Sequence, residues 1–474
     1  MNHRLGLDRS QTLLFPERLE DYIAAENPVR FLDAFVASLD LHTLGFTKAR
    51  CADTGRPPYD PAALLKLYLY GYLHRVRSSR MLEAECQRNV EVLWLLGKLA
   101  PDFKTIADFR KDNLKPLKAV ARQFTLLCRK LELFGGELLA IDGSKFAAVN
   151  ARDQNFNAAK LQDLIDRADA RLAEYLQQLD RADAAEPDGA ALNKSELAAK
   201  IAALQEKQDW HRELLAQLDA EQKQVSVTDP DTRKMPTAHG MIVGYNAQMA
   251  VDAKHKLIVA EDVTNEVTDL HQLANVALEA KANLELKEAE VVADAGYYNA
   301  AEVSRCVEQN LTPYIPKADT SANTARGLYG KSQFKHDAAK DVYVCPAGAE
   351  LTYRFATYEL GRELRYYRAS NCKQCSLKSR CTRNKANRTI TREENEHLME
   401  AMAARMRAQP HKFKLRKTLA EHPFGTIKRW FGYTHFLLKG LAKVQCEWSL
   451  TTLAYNLKRV LNLVSFEKLM AMVG

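Results

Sequence analysis

Two aspartates in this 474-residue sequence follow short apolar runs and stand next to glycines. Asp142 comes after the run 138–141 and Asp294 after the run 289–293, and each precedes a glycine by no more than two residues. Such runs predict buried strands, and a glycine permits tightly turned backbone beside each carboxylate. We therefore expect both carboxylates at a sheet edge, where they are placed to bind a divalent metal ion. The alternative is that both are ordinary turn residues at strand ends.

A third acid, Glu421, lies in a basic stretch seven residues before Lys428. On one straight helix this spacing puts both side chains on the same face, two turns apart. Clustered acids can hold two divalent ions roughly 3.5–4 Å apart, which activate the attacking oxygen and stabilise the leaving oxygen in phosphodiester displacement. The alternative for Glu421 is a surface charge paired with a neighbouring cation. Rival acids, for which turn formation and helix capping are the favoured interpretation, are Asp229, Asp231 and Asp269.

Four of the nine cysteines have the spacing of a zinc site. Cys372 and Cys375 form a C-x2-C pair, Cys381 follows six residues after the second of them, and Cys345 lies upstream. Together they can offer four thiolates to one tetrahedral zinc ion. The alternative is a set of reduced thiols without metal, as expected of a chain with no export signal. The other five cysteines are predicted to be buried small hydrophobic residues: Cys51, Cys86, Cys128, Cys306 and Cys446.

Positive charge is concentrated in one part of the sequence. The net charge is +8, and residues 373–443 contain 17 Lys or Arg against 5 Glu. Such a concentration of cations is expected of a surface that meets phosphates, with a solvated basic face as the alternative. Arg383, Lys385 and Arg388 follow the cysteine pair and are candidates for contacts with a nucleic acid.

Composition excludes several other classes of protein. Hydrophobic residues make up 46% and charged residues 27%, which is the balance of a globular chain rather than of a disordered or fibrous one. The first ten residues lack an apolar stretch, and nowhere do about 18 uncharged apolar residues follow one another. We therefore expect no secretion, no membrane association and a cytoplasmic location.

The elements that must position these residues form two parts. Residues 1–133 are predicted to be an all-helical domain for DNA binding or dimerisation. Its predicted helices begin after Asp60 and cover 80–96, 105–112 and 117–133, and Thr105 is a candidate N-cap. Residues 134–474 alternate apolar strands with helices, an α/β pattern with a mixed sheet. The predicted strands are 138–141, 244–251, 257–263, 289–293 and 311–315, and the predicted helices are 269–283, 299–308 and 448–463.

Two segments interrupt the α/β part. Residues 157–226 have leucines at helical spacing on either side of the turn signal 186–189, which predicts an antiparallel helical hairpin of coiled-coil character. Because the hairpin contains 9 Lys or Arg and 14 Asp or Glu, we expect it to contact a protein or another domain, or to be an inserted arm, rather than to bind DNA. Residues 317–392 are predicted to form a small basic insertion around the cysteines.

In their order, the acidic motifs resemble those of the DDE-type insertion-sequence transposases, whose catalytic core is similar to ribonuclease H. Ala-Ile-Asp142-Gly resembles the first-acid strand of that family, and Ala-Asp294-Ala-Gly-Tyr resembles its second. Glu421 and Lys428 are similar to its third acid and the DNA-contacting lysine that follows. The resemblance implies a ribonuclease H-like mixed sheet flanked by helices, with an all-helical N-terminal domain, an inserted helical hairpin and a small Cys-rich insertion.

The resemblance covers nearly the whole chain and has one departure. Gly55-Arg-Pro-Pro-Tyr-Asp60 and Arg77-Ser-Ser-Arg80 look like the helical domain that accompanies such cores. Family members often carry Tyr-x2-Arg-x3-Glu, whereas this chain has Lys414 and Lys417 at the first two of these positions and an arginine, Arg416, one place earlier than expected. Arg416 or Lys417 can take over the phosphate contact, but no residue replaces the tyrosine.

The resemblance also implies an activity. A transposase of this kind binds the terminal inverted repeats of its element, nicks DNA with water and joins the freed 3′-hydroxyl to target DNA. Asp142, Asp294 and Glu421 would hold two Mg2+ ions, for which Mn2+ can substitute. The protein would act on transposon ends and target DNA as a homodimer or higher oligomer in the nucleoid. The alternatives are a DNA-binding regulator or non-catalytic derivative, and a nuclease without strand transfer.

Overall fold

The computed structural model of the chain describes residues 18–51, 57–150, 154–184, 190–218, 224–317, 322–359 and 362–473. In these ranges the strands are β1 (Leu138–Ala147), β2 (Asn155–Asn157), β3 (Gln224–Ser226), β4 (Arg233–Thr237), β5 (Gly240–Asp252), β6 (Ile258–Thr264), β7 (Ala289–Val292), β8 (Leu311–Tyr314), β9 (Lys335–Asp337), β10 (Val342–Val344), β11 (Glu350–Glu359), β12 (Arg362–Ala369) and β13 (Thr389–Glu393). The helices are α1 (Pro28–Ala37), α2 (Pro61–Leu73), α3 (Ser79–Arg88), α4 (Val90–Leu95), α5 (Phe103–Asp112), α6 (Leu114–Lys130), α7 (Ala158–Ala184), α8 (Ala190–Ala216), α9 (Leu273–Leu284), α10 (Ala300–Glu308), α11 (Ala322–Ala325), α12 (Lys378–Cys381), α13 (Glu396–Ala408), α14 (Pro410–Gly425), α15 (Leu441–Leu463) and α16 (Phe466–Val473). None of the helices in the described ranges has an apolar stretch long enough to cross a membrane.

The central sheet has the ribonuclease H arrangement of strands. Its order is β6, β5, β1, β7 and β8, with β4 pairing the first part of β5. The strand β5 is antiparallel to β1 and β6, whereas β7 and β8 are parallel to β1 and to each other. The predicted fold class, an α/β protein with a ribonuclease H-like mixed sheet, is therefore confirmed.

The first strand of this sheet is longer than the sequence predicts. It continues through Asp142 to Ala147, because β5 pairs with it from Leu139, opposite Asp252, to Ala147, opposite Gly244. Asp142 therefore lies within a strand rather than at its end. The second predicted acid, Asp294, follows the end of β7 by two residues, as expected.

The N-terminal helices α1 to α6 confirm the helical prediction for this part of the chain and correct two details. Asp60 caps α2 as predicted, since its carboxylate accepts a hydrogen bond from the Ala62 amide at 2.8 Å. Helix α5 is capped by Asp102 instead of Thr105. Asn89 divides the predicted helix 80–96 into α3 and α4, because its side chain accepts from the first amides of α4. The motif residues 55 and 56 lie outside the described ranges.

Helices cover both faces of the central sheet. On one face α9 packs on the odd-numbered residues of β1, such as Leu139 and Ile141. On the other face Leu419 and Ala420 of α14 pack on even-numbered residues of β1, such as Ala140. Strand geometry requires this division, because successive side chains point to opposite faces.

The predicted helical hairpin corresponds to α7 and α8, and its base is closed by the short ladder of β2 and β3. Phe156, Leu161, Leu214 and Val225 form its small apolar core. The predicted turn at 186–189 lies outside the described residues.

The Cys-rich insertion contains a sheet that the sequence analysis did not predict. Strands β9 to β13 form a five-stranded antiparallel sheet in the order β13, β12, β11, β10, β9. Tyr343, Leu351 and Tyr367 are among its buried residues, and the cysteines pack at the same core.

The N-terminal helices and the C-terminal helix α15 share one apolar core, although the predicted domain boundary at residue 133 lies between them. A buried ion pair joins the two parts: Arg77 Nη1 lies 3.0 Å from Glu447 Oε1, and their side chains are 8% and 0% exposed. Glu447 also accepts hydrogen bonds from the backbone amides of Leu437 and Leu438. Arg77 donates to the carbonyl of His435 and lies 4.0 Å from the ring centroid of Tyr433.

We expect Glu447→Ala to lower the free energy of unfolding by about 3–5 kcal/mol, because it leaves the Arg77 guanidinium buried without its partner. Urea unfolding followed by circular dichroism measures the change. The matched control is Asp163→Ala, which breaks an exposed pair with Arg167 and should cost less than about 1 kcal/mol. Equal small effects of both substitutions would show that the buried pair does not hold the two parts together.

Candidate active site

Asp142 and Asp294 are brought together by the parallel pairing of β1 with β7. Ala140 of β1 lies opposite Val292 of β7, so the two aspartates follow at the same level of neighbouring strands. Asp142 Oδ1 accepts a hydrogen bond from the Gly143 amide at 3.0 Å, and Asp294 Oδ1 accepts one from the Gly296 amide at 2.8 Å. The two acids therefore lie at the same level, although Asp142 lies within β1 and not at the sheet edge that the sequence predicts.

The environment of Asp142 disfavours its ionised form. Burial raises the pKa of this carboxyl to about 7, Arg416 opposes the shift, and the carboxylates of Asp294 and Asp269 add to it. Arg416 Nη1 of α14 lies 3.3 Å from Asp142 Oδ2, and both side chains are about 15% exposed. A buried carboxylate beside two others is stabilised by any positive charge that binds there.

Lys428 provides a second cation on the same face of β1. Its Nζ donates hydrogen bonds to Ser144 Oγ at 2.6 Å and to the carbonyl of Lys145 at 3.1 Å, and lies 4.4 Å from the Phe146 ring centroid. Burial lowers the pKa of Lys428, and the charge of Asp142 opposes that shift. The structure thus places Arg416 and Lys428 beside the first acid.

Glu421 lies elsewhere on α14. It is exposed, and it is not among the charges that shift the pKa of Asp142. Five residues separate it from Arg416, which corresponds to a rotation of about 140° around the helix axis. The prediction that Glu421 shares a face with Lys428 is wrong, because α14 ends at Gly425 and the chain continues as a π-helical turn over Thr426–Trp430. This wider turn breaks the helical register between the two residues.

Sequence reasoning assigned Asp269 to a helix cap, but α9 begins at Leu273 with Gln272 at its N-cap. Asp269 instead lies against β1 and β5. Its Oδ1 accepts hydrogen bonds from Lys145 Nζ at 3.1 Å, Asn246 Nδ2 at 2.7 Å and Gln248 Nε2 at 2.8 Å. These donors lie on β1 and β5, far from Asp269 in sequence, so no local pattern could have identified the group.

The Asp269 group also reaches the loop that carries Asp294. The Tyr297 hydroxyl donates to Gln248 Oε1, and Gln248 in turn donates to Asp269. Gly143 and Lys145 lie on the side of β1 that faces Asp269 and Gln248. The Asp269 group therefore supports the backbone of β1 on either side of Asp142. This network therefore links β1, through Lys145, to the loop after Asp294, through Tyr297.

Two glycines make this close approach possible. A Cβ atom at Gly143 would lie 2.3 Å from Gln248 Nε2 and 2.8 Å from Asp269 Oδ1. At Gly296 it would lie 2.9 Å from Asp294 Oδ1 and 3.6 Å from Asp269 Oδ2. The Asp-Gly and Asp-Ala-Gly motifs were the sequence signal for this arrangement.

The four clustered cysteines surround one pocket of about 30 Å3 in the insertion, lined by Cys345, Cys372, Cys375 and Cys381. Burial raises the pKa of the Cys381 thiol, Arg388 opposes the shift, and the other three cysteines add to it. In the described ranges, no three or more His, Cys, Asp or Glu side chains are arranged closely enough to form a metal-binding group. Of the remaining cysteines, Cys51 is exposed, contrary to the prediction, whereas Cys86, Cys128, Cys306 and Cys446 are buried as predicted.

The predicted DNA-contacting residues divide into exposed and buried ones. Arg383, Lys385 and Lys417 are exposed. Arg388 is only 9% exposed, and its guanidinium donates to the carbonyls of Cys381 and Tyr329. The proposed phosphate contact by Arg388 is therefore wrong, because the side chain holds the cysteine loops together.

Two family profiles match this sequence. Residues 344–461 match a transposase DDE domain, which here includes the cysteine cluster and α14, and residues 17–112 match a transposase domain (DUF772). No curated protein matches. One similar solved structure is the cryo-EM structure of the piggyBac transposase synaptic complex with hairpin DNA, with 9% identity and a TM-score of 0.32 over 94% of this chain and 79% of that chain.

Both matched profiles describe transposase domains, and together they support a DNA transposase. The DDE match agrees with the DDE-type insertion-sequence transposases that the sequence motifs resemble. A protein of this class is a DNA-cutting enzyme with DNA as its partner, and its DDE domain implies a general need for divalent metal.

Gly143→Ala tests the packing behind Asp142. We expect the added methyl group to displace Gln248 and Asp269, to lower the free energy of unfolding by about 1–3 kcal/mol and to slow DNA cleavage at least about tenfold. Thermal unfolding and single-turnover cleavage measure the two effects. The control is Gly425→Ala, whose methyl group meets no atom within 4 Å. Wild-type stability and cleavage in Gly143→Ala would show that the network does not support the site.

Proposed function

We propose that this chain is the transposase of an insertion sequence, which binds the terminal inverted repeats of its element, cuts DNA there and joins the freed 3′-hydroxyl to target DNA. The observation that carries the proposal is the pair of carboxylates, Asp142 and Asp294, on adjacent parallel strands with Arg416 and Lys428 beside them. This arrangement combines oxygen ligands for a metal with cations for a phosphate.

The donor set at this edge fits Mg2+ or Mn2+. Carboxylate oxygens are the ligands that these hard cations prefer, and a bound cation would favour the ionised form of Asp142, whose pKa burial and the neighbouring Asp294 and Asp269 raise. We propose that Asp142, Asp294 and Glu421 hold the metal. Glu421 is exposed on α14 and would have to turn toward the aspartates, and the adjacent π-helical turn is a place where helical register can change. When bound, such ions activate the attacking oxygen and stabilise the leaving one.

The cations of the site would bind and orient DNA. Lys428 and Arg416 are positioned to meet the phosphate at the cut, because both lie beside Asp142. Arg383, Lys385 and Lys417 are exposed and would add sequence-independent attraction to the backbone. We expect the protein to act as a homodimer or higher oligomer on DNA.

A second candidate function is that of a DNA-binding derivative that does not cut. The observation that favours it is the exposed position of Glu421, which leaves two carboxylates of the expected three on adjacent strands. A cleavage assay separates the candidates, because the derivative would bind the ends of the element without nicking them.

Substitution of the three acids tests the catalytic assignment. We expect Asp142→Ala, Asp294→Ala and Glu421→Ala each to abolish cleavage of labelled DNA from the flanks of the protein's own gene and to change binding by less than about threefold, since the acids hold metal rather than DNA. EDTA should stop cleavage and Mg2+ should restore it. The matched control is Glu174→Ala, an exposed acid of the hairpin. If Glu421→Ala cleaves normally, Glu421 is not a ligand.

For the insertion we propose one structural zinc ion held by the four cysteines. Their thiols line a single pocket large enough for a small ion, and thiolates are the ligands that zinc prefers. Metal analysis of protein prepared without chelators should give about one zinc per chain, lost together with local stability in Cys372→Ser and Cys375→Ser. Cys51→Ser, which removes an exposed cysteine outside the cluster, should retain the metal. Zinc-free wild-type protein would contradict the proposal.

A further inference from the structure

Trp430 is exposed although its aromatic neighbours are not. Its side chain is 41% exposed, whereas Phe431, Tyr433 and Phe436 are buried in the core. The indole lies between two cations: the Arg75 guanidinium carbon is 4.1 Å from the ring centroid, and Lys458 Nζ is 5.1 Å from it. A large aromatic residue thus stands at the surface with cations held against its ring.

The cations around Trp430 come from three separate parts of the chain. Arg75 lies in the loop between α2 and α3, Arg429 precedes Trp430, and Lys458 lies on α15. Within the described ranges none of the three forms an ion pair with a carboxylate, and Arg75 and Arg429 are exposed. We call these four residues, Arg75, Arg429, Trp430 and Lys458, the Trp430 patch. Its uncompensated charge suits a partner that carries negative charge.

The backbone of Arg75 bears on how the patch can be tested. Its φ is +68°, in the left-handed region that residues with a side chain seldom adopt, and seven other non-glycine residues of the described ranges also have positive φ. Glycine would fit this turn without strain, so Arg75→Gly removes the side chain that reaches Trp430 without opposing the backbone conformation.

The patch is close to the candidate active site along the chain. Trp430 follows Lys428 by two residues within the same π-helical turn, and Lys428 contacts the strand that carries Asp142. Because residues two apart on a helical turn point to different sides, DNA whose phosphate meets Lys428 would pass around this turn to reach Arg429 and the Trp430 patch. Because the indole already contacts Arg75 and Lys458, its rings hold the two cations in place and are not free to stack on a base.

We propose that the Trp430 patch binds the phosphodiester backbone of DNA beside the cut and extends the active-site surface onto the N-terminal helices. The proposal rests on the proposed transposase function and adds a contact surface to it. Arg75, Arg429 and Lys458 donate to phosphate oxygens, so binding here is independent of base sequence. The N-terminal helices take part in holding DNA through this loop.

Arg75→Gly is a sharp test, because it removes the charge and relieves the backbone strain at once. We expect Arg75→Gly combined with Lys458→Gln to weaken binding to labelled duplex from the flanks of the gene by roughly tenfold or more at 0.1 M salt. The negative slope of log affinity against log salt should become shallower by about 0.9 per lost phosphate contact. An unrelated duplex of equal length should lose affinity to the same extent. The control is Lys98→Gly, which removes another exposed cation at positive φ (65°) and should leave the slope unchanged.

The outcome distinguishes this proposal from the proposed function. If the double variant keeps the wild-type salt slope and the wild-type protein cleaves DNA, the patch does not bind DNA although the enzyme does. If only the specific duplex loses affinity, the patch reads bases and the backbone assignment is wrong. Failure of the wild-type protein to cut with Mg2+ would overturn the proposed function, while the binding measurement would still decide the role of the patch.

Discussion

The candidate site depends on the electrostatic cost of placing two carboxylates side by side, one within β1 and one just after its parallel neighbour β7. Burial and the charges of Asp294 and Asp269 all oppose ionisation of Asp142. The positive charges of Arg416, on α14, and of Lys428, on the turn after it, favour the ionised form of Asp142 and so oppose these effects. The position of α14 over the even-numbered residues of β1 is therefore an electrostatic requirement of the site as well as a packing arrangement.

The two faces of β1 have separate tasks. Even-numbered residues, such as Asp142 and Ser144, face the cations, whereas Gly143 and Lys145 face the Asp269 network. A pleated strand provides this separation without any additional element, since its side chains alternate. In the proposed site the chemistry would take place on one side of the backbone, while the other side holds that backbone in position. The glycine at 143 is the point where the two sides come closest.

The parts of the site that local patterns describe could be predicted from the sequence. Asp142 and Asp294 follow apolar runs beside glycines, and the order of strands and helices indicates the ribonuclease H-like sheet. The parts set by distant contacts could not be predicted. Asp269 finds its donors on two strands remote in sequence, and Arg388 is buried by loops that fold back on it. Glu421 was misplaced because a helical register was extended through a segment that forms a π-helical turn.

The core shared by the N-terminal helices and α15 has a consequence for how the protein is made. Helix α2 leaves the ribosome long before the residues of α15 that pack with it are synthesised. The apolar surface of the N-terminal helices therefore stays uncovered until α15 has emerged. Such late closure makes folding slow and exposes nascent chains to aggregation and to chaperones. It also means that a ribosome that stalls before α15 releases a polypeptide without a complete core.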